Sequence, residues 1–99
     1  MYEIDDRFFD WDNGKELLNI RKHGVSFMEA ATVFKDPNAA YLDDIEHSQY
    51  EERFIVIGTS GNSRTLTVCH CYRGNDEVIR IISARRATRT EGRLYGGGK

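Results

Sequence analysis

An α+β fold is predicted by three features of the chain. Two capped helical segments lie near its start, strand-type runs separated by short polar turns follow, and a last capping pattern precedes the terminus. Because the helices come first and the strands succeed one another, the expected arrangement is an antiparallel β-sheet meander. It would pack with two N-terminal helices and a short C-terminal helix. The 99 residues suffice for one small domain, expected over 1–95, with Gly96-Gly97-Gly98-Lys99 as a disordered tail.

Phe8, Phe9 and Trp11 form an aromatic run suited to a first strand. Asp12 can then cap a helix over about 13–23, closed by Gly24 as a left-handed stop. On that helix Leu17, Leu18 and Ile20 or Arg21 lie toward one side, and Lys15, Asn19 and Lys22 make a polar stripe on the other. Ser26-Phe27-Met28-Glu29 has the form of a capping box, flanked by Val25 and Ala30 as a hydrophobic staple. It opens a second helix with Phe27, Ala30, Ala31 and Phe34 on its apolar face, ended by Asp36-Pro37. Tyr41 and Leu42 suggest a short strand before the acidic loop Asp43-Asp44-Ile45-Glu46-His47. Stronger strands are expected at about 53–59, 64–73 and 77–84, with turns at Ser60-Gly61-Asn62-Ser63 and Gly74-Asn75-Asp76. Thr88-Arg89-Thr90-Glu91 repeats the capping-box pattern and places a final helix at about 88–95.

The turn centres predict a register. A turn centred on Asn75 sets His70 opposite Arg80, and one centred between Gly61 and Asn62 sets Arg53 opposite His70. Arg53, His70 and Arg80 would then share one row and one face with Ile55, Ile57, Leu66, Val68 and Ile82, and Arg64 and Arg86 would lie near its far end. Two guanidinium groups beside a histidine call for an anion between them.

Charge points the same way. Residues 1–52 hold five basic and thirteen acidic side chains, whereas residues 53–99 hold nine basic and three acidic, and eight of those nine are arginines. Arginine offers phosphate a planar fork of donors and does not discharge at working pH. No apolar run approaches the roughly 20 residues that cross a bilayer, and the acidic MYEIDDRFFDWD start is unlike a secretory signal, so a cytosolic protein is expected. Cys69 and Cys71 read as free thiols, and strand alternation sends His70 to the opposite face, so neither a metal site nor a cofactor is expected.

The series Phe9-Asp10-Trp11-Asp12, Asn19 through Lys22 to Phe27, Glu29-Ala30, Val33 to Pro37, His47-Ser48, Glu52-Arg53, Ile57-Gly58, Arg64, Val68, His70, Arg73 and Arg80 to Ala87 resembles the BrnT toxins of bacterial type II toxin–antitoxin systems. Lys-His-Gly-Val-Ser-Phe and Ile-Ser-Ala-Arg-Arg-Ala are its most specific pieces. The resemblance implies a RelE-like fold and a ribonuclease that blocks translation. It also implies a BrnA antitoxin with a ribbon-helix-helix domain, through which alone the complex would contact operator DNA.

Metal-independent RNA cleavage requires a base for the ribose 2′-hydroxyl, cations for the phosphorane and an acid for the leaving 5′-oxygen. Lys22, Arg53, Arg64, His70 and Arg80 are the catalytic candidates, with Arg73 and Arg85 as RNA contacts. His23 reads as a helix C-cap and His47 as a structural loop residue. The antitoxin is expected to cover the basic meander face with an acidic segment against Arg53, Arg64 and Arg80, in competition with RNA. A non-catalytic RNA- or protein-binding module using the same arginines is the alternative, separated from the enzyme by a cleavage assay.

Overall fold

The computed structural model describes residues 1–48 and 51–95. The tail expected at 96–99 and part of the stretch between the acidic loop and the strand expected at 53–59 lie outside the described residues. The chain runs β1 (Tyr2–Ile4), β2 (Arg7–Asp10), α1 (Asn13–His23), α2 (Phe27–Thr32), β3 (Ala40–Asp43), β4 (Phe54–Thr59), β5 (Thr65–Arg73), β6 (Val78–Arg86) and α3 (Arg89–Leu94). A single-turn 3₁₀ segment, Val33–Lys35, extends α2, and another, Ile45–His47, follows β3.

Local chemistry accounts for the helix ends. Asp12 accepts the Lys15 amide, and Gly24 closes α1 at φ 69° while donating its N–H to Ile20. Ser26 caps α2 through the Glu29 amide, and at Thr88 both halves of the capping box form. The box at Ser26 is only half made, because the Glu29 carboxylate turns to Arg64 and Ser60.

The α+β class holds, and the sheet is larger than a meander. Among the described residues six strands lie in the order β1-β2-β6-β5-β4-β3, with β2 parallel to β6 and the other neighbours antiparallel. The N-terminal hairpin turns on Asp5 and Asp6, both at positive φ, as a two-residue turn matched to strand twist demands.

Both meander turns are one residue longer than the sequence suggested. Ser60 donates to the Arg64 carbonyl, so Arg64 belongs to the turn, and Glu77 likewise belongs to the loop that Gly74 opens. His70 consequently faces Phe54 on β4 and Ile81 on β6, and Arg80 faces Cys71. The expected Arg53–His70–Arg80 row is therefore not formed, since a one-residue slip reverses the face of every side chain.

A bulge at Cys69/His70 shifts the phase again along β6, so that Ile81 and Ala84 both point to the helices. The core lies between that face and α1 and α2, and includes Phe9, Trp11, Val25, Phe27, Phe34, Val56, Leu66, Val68, Ile79 and Ile81. Gly58 is part of this packing, because a Cβ there would come within 2.9 Å of Val33 Cγ1. α3 lies against β4 on the other face, where the Thr59 hydroxyl donates to Tyr95.

The α1 helix reverses its expected orientation. Asn19 is its buried residue, whereas Leu17, Leu18 and Ile20 are exposed. Asn19 donates to the carbonyls of Val25 (2.9 Å) and Ala84 (2.8 Å) and accepts the Ala84 amide (3.1 Å). One side chain thus ties the α1–α2 junction to β6 and satisfies buried backbone groups that leucine could not.

Candidate functional site

The sheet divides the expected site residues between its two faces. On the helix-covered face, His70 is fully buried among the rings of Phe34, Phe54 and Tyr72. Burial lowers its pKa to about 4, against a weaker opposing effect from Nδ1 bonding the Val68 carbonyl. Arg64 spans Glu29 with two nitrogens, Nε to Oε2 at 2.9 Å and Nη2 to Oε1, and also donates to the Gly24 carbonyl. That pairing holds the Glu29 carboxyl below its ordinary range and clamps α2 to the β4–β5 turn. Lys22 is exposed on α1. The structure thus does not bring Lys22, Arg64 and His70 together with the remaining arginines, because alternation along β5 and the Glu29 pairing direct them elsewhere.

On the open face, a cavity of about 440 Å³ is lined by residues that include Asp44, His47, Arg53, Cys69, Arg85 and Glu91. β4 and β5 supply Ile55, Thr67 and Cys69, and the bulge turns both Ile82 and Ser83 into the space. The Ile45–His47 turn closes one side and α3 the other.

Two features give this cavity its chemistry. First, His47 Nδ1 lies 3.0 Å from Asp44 Oδ1 and 3.1 Å from Oδ2. A carboxylate accepts, so Nδ1 is the donor to Asp44 and Nε2 takes no part in that pair. Asp44 is itself buried and donates its amide to the Arg53 carbonyl, while Ser48 Oγ accepts the Arg53 amide. The histidine, its carboxylate and Arg53 are therefore held as one latched turn.

Second, Arg53 Nε is buried without a hydrogen-bond partner among the described residues, although Glu51 lies 3.7 Å away. A buried charged donor left without an acceptor is costly and suits an incoming anion. Arg85 is fixed by two bonds to Glu91, at 2.6 and 2.7 Å, and Thr67 donates to the same carboxylate. The Arg85 guanidinium, chiefly, drops the Glu91 pKa to about 2. Burial, aided by Asp44, pushes the Cys69 thiol up to about 12, so it stays protonated and is no nucleophile at neutral pH.

Arg80 and Arg73 continue the open face. Arg80 pairs with Asp10 at 2.6 Å and Arg73 with Glu51. The charge asymmetry of the sequence is thus largely cancelled in space. Asp10, Glu29 and Glu51 of the acidic half meet Arg80, Arg64, Arg73 and Arg53 of the basic half. A second cavity, of about 520 Å³, is lined by Glu51, Glu52, Phe54, Tyr72 and Asp76, a carboxylate-rich surface unsuited to phosphate.

Sequence reasoning assigned His47 to a structural loop and missed its partnership. The available signal was Asp44 three residues before His47, a spacing that brings both side chains together on one tight turn. Among the described residues no group of three or more His, Cys, Asp or Glu side chains is placed to hold a metal ion. Among the described residues no helix is long and apolar enough to cross a membrane.

Residues 11–91 match the family model of the ribonuclease toxin BrnT of type II toxin–antitoxin systems. No curated protein matches the chain. Among solved structures, the 1.1 Å crystal structure of the Brucella abortus ribonuclease toxin BrnT superposes with a TM-score of 0.63 at 24% identity. The match covers 84% of this chain and 99% of that one and supports the fold.

Proposed function

Because the chain belongs to the BrnT family of ribonuclease toxins of type II toxin–antitoxin systems, we propose that it cleaves RNA in the open-face cavity with His47, Arg53 and Arg85 as its working groups. The observation that carries this assignment is the Asp44-oriented His47 sharing one cavity with the unsatisfied Nε of Arg53. His47 Nε2 takes the ribose 2′-proton, and the resulting oxyanion attacks the adjacent phosphorus. Arg53 and Arg85 stabilise the charge on the phosphorane oxygens. Cleavage of the P–O5′ bond leaves a 2′,3′-cyclic phosphate, and the imidazolium returns its proton to the departing 5′-oxygen. Side chains supply every proton in this sequence, and the reaction is metal-independent.

Arg80 and Arg73 extend the cationic track for flanking phosphates, exchanging their carboxylate partners for the RNA backbone. Arg64 and His70 serve the fold, and Lys22 stands apart from the cavity. RNA in the cytoplasm is the target, its cleavage inhibits translation, and a BrnA-type antitoxin neutralises the activity and carries the operator contacts. The test replaces His47 with glutamine, which keeps a hydrogen-bonding group but cannot titrate. Cleavage of a fluorophore-labelled RNA should fall about 100-fold or more, with RNA affinity nearly unchanged. Equal loss of affinity and rate would make His47 a positioning residue, and wild-type RNA binding without cleavage would leave a binding module.

A further inference from the structure

α1 carries a surface that neither the core nor the cavity uses. Leu17 is 66% exposed, Leu18 62% and Ile20 41%. At 100° per residue, Ile20, Leu17, Arg21 and Leu18 sweep one continuous outward arc, opposite the inward Asn19. A surface helix ordinarily buries such residues, and adjoining exposed apolar side chains on a folded protein mark a place where something binds. Met28, at the start of α2, is a further exposed apolar side chain, at 45%.

The charges around the arc identify the occupant. Lys15, Arg21 and Lys22 are exposed on the same helix and form no ion pair among the described residues. Arg53, Arg64, Arg73, Arg80 and Arg85, by contrast, each meet a carboxylate of the chain itself. A second copy docking symmetrically here would set the same three cations against each other. Nucleic acid would satisfy the cations and leave the leucines in water. An amphipathic helix with an apolar stripe and acidic flanks answers both features.

We propose that the outward face of α1 is the anchoring site of the antitoxin, which docks an acidic amphipathic helix over Leu17, Leu18 and Ile20 with its carboxylates against Lys15, Arg21 and Lys22. This rests on the toxin–antitoxin membership of the chain and relocates the main contact away from the arginines of the meander. α1 packs on the core face of β6, so this anchor lies across the sheet from the cavity. The rest of the antitoxin, tethered at that point, gains a high local concentration for the cavity mouth.

The experiment titrates the full chain with a purified BrnA-type antitoxin, by calorimetry, for wild type and for the Leu17→Glu/Leu18→Glu protein. Both positions are exposed and glutamate is a good helix former, so the circular dichroism spectrum and RNA cleavage should be unchanged. Antitoxin affinity should fall about 100-fold, and co-expressed antitoxin should no longer prevent growth arrest. Lys15→Glu/Arg21→Glu should weaken binding about tenfold and flatten its salt dependence. Arg53→Ala should leave affinity within a factor of about three. Wild-type affinity in the leucine variant would overturn the proposal. So would a wild-type homodimer, seen by sedimentation, that the leucine variant abolishes, or RNA affinity lost with the leucines. Binding is read directly, so absence of cleavage in the wild type would refute the ribonuclease mechanism without touching this result.

Discussion

His47 and His70 occupy opposite chemical worlds, one lining the open-face cavity and the other inside the core. His70 has no exposed surface and sits among aromatic rings, its Nε2 without a hydrogen-bond partner among the described residues and its pKa lowered to about 4 by burial. His47 is exposed beside a buried carboxylate that holds its Nδ1. The strand-borne histidine is built into the core, whereas the turn-borne one is presented to a cavity. Rigid elements fill the interior, and the chemistry proposed above rests on a connecting turn, where many enzymes carry theirs.

The sharpest way to break this contrast is Arg53→Ala. It removes a guanidinium whose Nε is buried without a hydrogen-bond partner among the described residues, and cleavage should fall about 100- to 1,000-fold, near 3–4 kcal/mol of transition-state stabilisation. The melting temperature should barely move. Retained cleavage by a folded Arg53→Ala protein would remove it from the site.

His70→Phe probes the closed face. The folded pKa of about 4 lies below the ordinary histidine value near 6.5. Unfolding therefore takes up a proton below about pH 6.5, and stability declines as pH falls from there toward 4. It is full above that window, and the total is about 3 kcal/mol. The phenylalanine variant should lose this slope in urea titrations at pH 7, 5.5 and 4.5 while cleaving RNA at nearly the wild-type rate. A large loss of cleavage with an unchanged slope would restore a catalytic role to His70.

Asn19→Ala should cost roughly 2–3 kcal/mol, because the Ala84 amide and two carbonyls lose their partner in the interior. Chemical denaturation at pH 7 measures this, and a change under about 0.5 kcal/mol would show that water replaces the side chain without penalty. The smallest effect is expected from Glu91→Gln. The depressed carboxyl stabilises the fold above its unfolded pKa near 4.3 and ceases to do so as pH falls toward 2. At pH 7 the loss should be about 1 kcal/mol, since the pair is partly solvated. The sharper readout is Arg85, whose release from Glu91 should raise RNA affinity at low salt.

Much of the fold was legible because its signals are local. Asp12, Gly24, Ser26, Pro37 and Thr88 punctuate helices through contacts within a few residues, and the strand runs are apolar enough to announce themselves. The α+β class and the resemblance to the BrnT family needed no coordinates. The location of each side chain did. Whether Arg64 and Glu77 belong to strands or turns depends on hydrogen bonds across the hairpins, and that single residue decides whether Arg53 and Arg80 share the face of His70. Likewise α1 exposes its leucines because Asn19 meets Ala84, sixty-five positions away. The sequence by itself thus determined which elements form and the chemical character of each half. Only the tertiary structure decided which charges cancel, which histidine is buried and where a cavity opens, because these depend on register and long-range pairing that no local pattern encodes.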